Sequence, residues 1–593
     1  MADIESILRQ IDQHLSAGRF EPARGLVHRA LQKSPNDADL NSSMCFILQK
    51  LGQVEQAMHF GQRALAARPN DLRFVENIAN IFGLAGRHVA AAEVLERVVA
   101  AEPHNANAWN TLCAAYFLSG NLASAESTAR RALELHPRHP RLMEQLSAVA
   151  RKHGRSAEAY SIVKEASLAH PEDTDLAHET AFNSNYPSGV PAREVFDAHR
   201  RFGELWCSKV KRIALPRPSP ADADRPLRVA FMSPDLRQHS VAHYAEPVIA
   251  GLDRSRFNLF VYFIHPKPDD ITARFRALVP PANWCDGVHL PDDVLAQRVA
   301  FDKIDILVDL TGLTGGARAG VLARKPAHLQ VNYLGYPNTV GLPTMDYRFI
   351  DSITDPPGVS DTLAVERLVR LDPCFLCFRP PANAPEVGPP PMLSNGFVTF
   401  GSFNAGLKFS DSCIAMWSNV LNAVPSSRLF LKNFDLALPE PREHLYSRFE
   451  KHGIARDRIE MQAFTATIPE HLRLYQKVDI GLDTFPYHGT TTTCEAFHMG
   501  IPVVSLEGSV HAARVGSSLL HAVGLPELIA RSEDAFVKIA SELAGNPARI
   551  ASIRASLRDR QAKGTLGDEA GFAARFGDTL RHLWRNYCAG GSG

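Results

Sequence analysis

The chain lacks an excess of either charge. Lys plus Arg and Asp plus Glu stand at 64 each in 593 residues, so the basic surplus of a nucleic-acid footprint is missing. It lacks long hydrophobic runs as well. No stretch approaches the roughly 18 apolar residues of a membrane span. Met1 to Ser6 carries neither a basic nor an apolar opening of a secretory signal. These absences predict a soluble, cytoplasmic protein. Cysteine is scarce, with nine residues, an odd number that fits a reducing compartment better than a disulfide framework. The single CxxC, Cys374-x-x-Cys377, lies in an apolar run, and zinc would need two further ligands. Burial is the expectation there, with no metal. A P-loop lysine signature, a GxSxG and an HExxH are all missing, which leaves kinase and hydrolase readings without a motif. What is present is an ordinary globular balance, 45% hydrophobic and 22% charged, over a length suited to about three or four domains.

The first third repeats itself. Glycine recurs at Gly18, Gly52, Gly86, Gly120 and Gly154, always 34 residues apart. Proline recurs at Pro35, Pro69, Pro103, Pro137 and Pro171, and alanine at Ala23, Ala57, Ala91, Ala125 and Ala159. A second alanine column, Ala30, Ala64, Ala132 and Ala166, is interrupted only by Val98. Each period reads as helix, glycine turn, helix and proline stop. This resembles the tetratricopeptide repeat, with five copies over 1–173, and the fullest copy holds Trp109 and Tyr116. Such arrays stack into a superhelix that receives extended peptides; a structural or dimerising role is the alternative.

Residues 174–226 read as a helical cap, broken at Asn185 to Gly189, followed by a proline-rich linker, Leu215 to Pro226. The period then changes. Strands are predicted at 227–232, 257–264, 304–310 and 330–334, and after a second proline-rich linker (379–396) at 396–401, 428–432, 459–464, 478–482 and 503–506. Strands alternating with helices imply two parallel α/β halves, 227–378 and 397–588, with ligands at the carboxyl ends of their strands. Residues 589–593 read as a tail.

The focal stretch is Gly481 to Glu495. An apolar strand is broken by Pro486 and Gly489, four threonines follow, and a helix is predicted over Cys494 to Met499. A helix N-terminus offers unpaired amides and partial positive charge, so this entry suits a diphosphate, with Glu495 able to accept from a ribose hydroxyl. Simple capping by the threonines is the alternative. Lys408, just after Asn404 on a strand exit, suits a departing diphosphate, and Lys432 is a second cation; each is otherwise a solvated charge. His239 and His243, after Asp235, are four apart and would share a helical face. They suit an acceptor hydroxyl or a metal pair, but no third ligand is apparent. His471 suits a nucleobase, or else lies on a helix surface.

Taken together, Ser233 to His243, Leu334 to Thr339 with Asp346-Tyr347, Asp355-Pro-Pro, Cys374 to Cys377, Gly401 to Asn404, Gly481 to Glu495 and Gly508 to Gly516 resemble the catalytic part of the TPR-containing protein O-glycosyltransferases, the O-GlcNAc transferases and their SPINDLY relatives. The resemblance implies an all-α TPR superhelix followed by an α/β GT-B fold, two Rossmann-like domains. It implies inverting transfer to protein Ser/Thr hydroxyls with no cofactor and no required metal. Residue by residue, it implies that His239 lies near sugar and acceptor and that Lys408 serves the diphosphate. It implies that His471 stacks on the base, that Thr491 and Thr492 bind phosphate, and that Glu495 binds ribose. Asn404, Lys432, Gly489 and Thr490 join the donor site, Thr314 falls near the sugar, and Asp235, His243 and Tyr336 are secondary. Gly489 to Glu495 looks like the SPINDLY branch, whose plant members use GDP-fucose, while Leu313 replaces the histidine of that branch's Gly-His-Thr turn. GDP-fucose and UDP-GlcNAc both stand as donors. His239 either takes the acceptor proton or positions the acceptor. The expected partners are a polypeptide in the repeat groove, a nucleotide sugar and a second copy through the repeats. A scaffold with a decayed catalytic half, or a transferase for a non-protein acceptor, are the competing readings.

Overall fold

The computed structural model describes residues 2–590; Met1 and residues 591–593, most of the expected tail, lie outside the described residues. The chain forms two compact units, one of residues up to Arg151 with Ser161–His170, the other of Lys152–Tyr160 with Pro171 onward.

The repeat region is ten helices in five pairs, from Ala2–Ser16 to Ser156–Ala169. The glycine column has a backbone cause. Gly18, Gly52, Gly86, Gly120 and Gly154 sit at φ of 67°, 75°, 72°, 82° and 72°, the left-handed region that ends a helix and that a Cβ disfavours. The alanine columns have a packing cause. Ala23, Ala57, Ala91, Ala125 and Ala159 are all 0–1% exposed, where a larger side chain would force the paired helices apart. Each proline follows the second helix of its pair by two residues, as Pro137 follows Leu122–Leu135.

The second unit carries two parallel sheets. The first holds β1 (Leu227–Ser233), β2 (Phe257–Phe263), β3 (Trp284–Asp286), β4 (Ile306–Asp309), β5 (Leu329–Tyr333), β6 (Tyr347–Ile350) and β7 (Arg367–Arg370), in the order β3-β2-β1-β4-β5-β6-β7. The second holds β8 (Thr399–Ser402), β9 (Arg428–Lys432), β10 (Ile459–Gln462), β11 (Ile480–Leu482), β12 (Val503–Leu506) and β13 (Ile529–Ala530), in the order β10-β9-β8-β11-β12-β13. Both are doubly wound, and in each the chain reverses direction beside its first strand, at β1/β4 and β8/β11. The crevice at such a switch point is where this fold binds ligands. β3, β6, β7 and β13, two to four residues long, lie outside the predicted strands.

Two expected boundaries shift. The segment 174–226, read as a helical cap and a proline-rich linker, holds two helices, Thr174–Asn183 and Ala192–Lys209, and is built into the N-terminal half. Gly203 comes so close to Gly341 that a Cβ would lie 1.8 Å from the Gly341 carbonyl oxygen. The last helix, Glu569–Cys588, leaves the C-terminal half and returns to the first. Arg581 donates to the carbonyls of Ala223 and Arg225, Trp584 to that of Asp222, and Phe576 packs edge-on against Tyr333. The apolar face of that helix therefore covers a sheet some 240 residues earlier in the chain. Cys374 and Cys377 are buried, and all nine cysteines are free. No helix among the described residues is long and apolar enough to cross a membrane.

Candidate active site

The helix of the focal stretch starts earlier than predicted, at Thr491–His498. The threonines are therefore its first turn rather than its approach. Thr490 occupies the cap position but makes no side-chain cap bond, which removes the capping alternative and leaves the end of the helix open. The threonine hydroxyls are used laterally. Thr492 donates to Asn404 Oδ1 at 3.1 Å, and the Tyr244 hydroxyl reaches Thr491 Oγ1 at 3.3 Å. Gly489 is required by space, since a Cβ there would stand 2.5 Å from Thr492 Oγ1.

The turn before the helix is held from below. Asp483 accepts from the amides of Thr484 and Gly489 and from the Ser505 hydroxyl. His488 is locked between the Leu506 carbonyl and the Gly516 amide. This fully paired, buried network fixes the loop before any ligand arrives. Lys408, in the short turn after β8, donates to the His488 carbonyl at 2.7 Å and lies 4.2 Å from the centre of the Tyr487 ring. Desolvation lowers its ammonium to about 8, with Asp483 opposing. An anion placed here would be gripped by a cation short of counter-charge, and a charge-assisted bond of that kind contributes about 1.5–3 kcal/mol.

A cavity of about 280 Å³ between the halves is lined by His239 and Tyr244 from the first, and by Asn404, Lys408, Tyr487 and Thr490 to Thr492 from the second. Tyr487 is itself stacked on Tyr186 of the 174–226 segment, rings 4.9 Å apart and 3° from parallel. His239 keeps 39% of its side chain exposed at the cavity. Even so, desolvation, with Arg237, His243 and His265 nearby, lowers its pKa to about 4. Its Nδ1 accepts from the Val241 amide at 3.3 Å, so the neutral ring carries its proton on Nε2. In that tautomer it presents a donor to the cavity. Asp235 is 3.6 Å from that Nδ1, and burial raises its carboxyl to about 6.

Beyond this cavity, Glu495 Oε2 accepts from His471 Nε2 at 3.0 Å and from the Tyr475 hydroxyl at 3.1 Å. Burial opposes the charge of Glu495, but His471 lowers its pKa overall, so a carboxylate with Oε1 to spare stands one turn into the helix. His471 is half-buried against Phe403 and Tyr475, not on a helix surface.

Eight predicted residues are not on the cavity wall: Asp235, His471, Gly489 and Glu495, placed above, and His243, Tyr336, Thr314 and Lys432. His243 begins the helix Ala242–Gly251, whereas His239 precedes it, and the His243 ring meets the Arg379 carbonyl. The two histidines therefore do not share a helical face. Among the described residues, no group of three or more His, Cys, Asp or Glu is placed to hold an ion. The Tyr336 hydroxyl is buried between Asn185 and His199. Thr314 turns its hydroxyl onto the Thr311 carbonyl, and Lys432 lies 6.0 Å from the Phe464 ring. Conversely, Tyr244, Tyr487 and His511 line the cavity without having been singled out. His511 follows β12 directly, so the carboxyl-end rule applied to one further strand would have reached it.

The profile of glycosyl transferase family 41 matches residues 201–377 and 391–575, and that of the tetratricopeptide repeat matches 14–77 and 84–142. The probable UDP-N-acetylglucosamine–peptide N-acetylglucosaminyltransferase SPINDLY of Arabidopsis thaliana is 40% identical over 399 residues, 67% of this chain and 43% of that protein. The similarly named SEC of the same plant is 28% identical over 376 residues, 61% of this chain and 38% of that protein. The chain thus spans less than half the length of these curated relatives. A mutant of the Thermobaculum terrenum O-GlcNAc transferase superposes with a TM-score of 0.79 at 31% identity, over 87% of this chain and 98% of that one. With both α/β halves matched and the repeats in front of them, this chain belongs to glycosyl transferase family 41.

Proposed function

We propose that this protein moves a monosaccharide, with inversion, from UDP-GlcNAc or GDP-fucose to Ser/Thr hydroxyls of polypeptides. One observation carries the reading: Lys408, an uncapped helix entry bearing Thr490 to Thr492, and His239 converge on one cavity at the switch points of two Rossmann-like sheets. Without a metal, a leaving diphosphate needs fixed donors and a cation. Lys408 neutralises it, while Thr491 and the amides of its turn bind its oxygens, and Thr492 exchanges its bond to Asn404 Oδ1 for one of them. Glu495 takes the ribose through Oε1, and His471 faces the base. His239 donates from Nε2 to the sugar or the acceptor and so positions them. The repeats of 1–173 recruit the polypeptide and can pair two copies. The nine free thiols favour a reducing cytoplasm.

The test is transfer from each labelled donor to a peptide pool by the full chain and by Lys408→Ala. Transfer by the first and its near-complete loss in the second is the expected result. Full-rate transfer by Lys408→Ala, with folding intact, would sink the reading.

A further inference from the structure

Two histidines line the cavity, His239 and His511, and their surroundings prepare them for opposite work. The Nδ1 of His239 receives a backbone N–H, which commits Nε2 to donating. His511, in the turn Val510 to Arg514 after β12, is 6% exposed. Its Nδ1 stands 2.5 Å from Asp355 Oδ2. Asp355 belongs to the other half, in the turn beyond β6, and Arg348 lies 3.7 Å from its Oδ1. Against the opposing effect of burial, His511 and Arg348 hold Asp355 down at about 2. The Asp355 group is therefore a carboxylate and must receive a proton from Nδ1. That leaves the lone pair on Nε2, which has no hydrogen-bond partner among the described residues. Phe375 packs edge-on against the ring, 5.1 Å between centres, and keeps it from turning. A carboxylate, an imidazole held by it and a free Nε2 at a cleft form the arrangement in which histidine accepts a proton from a hydroxyl nucleophile.

We propose that His511, oriented by Asp355 across the two halves, is the base that takes the acceptor hydroxyl proton; this rests on the transferase reading above. The acceptor oxygen forms its bond to the sugar C1 as its proton passes to His511 Nε2. The C1–oxygen bond to the diphosphate breaks, and its electron pair leaves with the diphosphate beside Lys408. The imidazolium is stabilised by Asp355 and later releases its proton to solvent. Asp355 is a positioning residue. Burial lowers the pKa of His511, Asp355 and Asp351 raise it, and Arg348 lowers it. Losing the Asp355 charge must therefore move the acid limb of the rate to lower pH.

The experiment measures transfer from labelled UDP-GlcNAc and GDP-fucose to a pool of Ser-containing peptides and to its Ser→Cys counterpart. It compares the full chain with His511→Gln and Asp355→Asn, and follows nucleotide-sugar affinity and melting temperature in parallel. For His511→Gln, kcat on Ser peptides should fall by about 10²-fold or more with donor affinity within about twofold. The loss should be smaller on Cys peptides, because a thiol ionises with less help. Asp355→Asn should lower kcat and shift the acid limb downward. A substitution that only loosens the fold would move the melting temperature and weaken both acceptors alike, and that outcome overturns the proposal. So does unchanged transfer by both variants when the unsubstituted protein is active. If the unsubstituted protein transfers neither sugar, the transferase reading itself fails, and this one with it.

Discussion

The two α/β halves share a strand order and differ in what they set at the switch point. The C-terminal half presents a cation and a helix entry. Lys408 leaves β8, Thr490 to Thr492 follow β11, and the loop between is pinned by Asp483 and His488. The N-terminal half presents neutral or internally paired groups. His239 follows β1 with its pKa lowered to about 4, and after β4 the Thr314 hydroxyl is spent within its own turn. One topology thus carries a buried cation beside an open helix entry at one switch point and an uncharged imidazole at the other. The sheet fixes where polar groups can stand, and the side chains at the strand exits decide what they do.

The sharpest way to break this division is to remove the cation. Lys408→Ala should lower transfer about 10³-fold, roughly 4 kcal/mol of transition-state stabilisation, with Lys408→Arg partly active and the melting temperature unchanged. Its counterpart His239→Ala should cost about 10- to 100-fold and act on the acceptor KM rather than on donor affinity; steady-state kinetics with both substrates varied separates the two. Next come the hydroxyls. Thr491→Val or Thr492→Val should each weaken nucleotide-sugar binding by up to tenfold, about 1 kcal/mol for a lost hydrogen bond, whereas Thr314→Val should leave calorimetric affinity unchanged. Equal losses in the two halves would end the comparison.

Acidity offers a milder probe. A lysine lowered to about 8 is charged below that value and neutral above it. Donor affinity should therefore hold from pH 6 to about 8 and then weaken, by up to roughly tenfold per unit. His239 stays neutral over the same window and adds no limb. The smallest effect belongs to the repeats. Gly120→Ala, at φ 82°, should destabilise the array by about 1 kcal/mol, read as a lower melting temperature, while donor hydrolysis continues at its usual rate.

The repeats were legible because their determinants are local. A left-handed glycine, a small residue between paired helices and a proline stop each act within one 34-residue period, so five copies announce themselves. The focal stretch was legible for a similar reason: strand, breaker and helix lie within fifteen residues. Its helix starts three residues before the predicted Cys494, because threonine is a poor helix former and the pattern gives no sign that Thr491 to Thr493 join the first turn.

The sequence by itself determined the periodic array, the alternation that makes two parallel sheets, and the strand exits where Lys408, His239 and the threonines must stand. Tertiary structure alone decided which of those exits meet. It put Asp355 against His511 over 156 residues of chain, turned Tyr336 and Thr314 inward, and bound the last helix to the first sheet. The physical reason is range: periodicity and caps are set by neighbours a few residues away, whereas the partner of a polar side chain is set by which surfaces must be buried together.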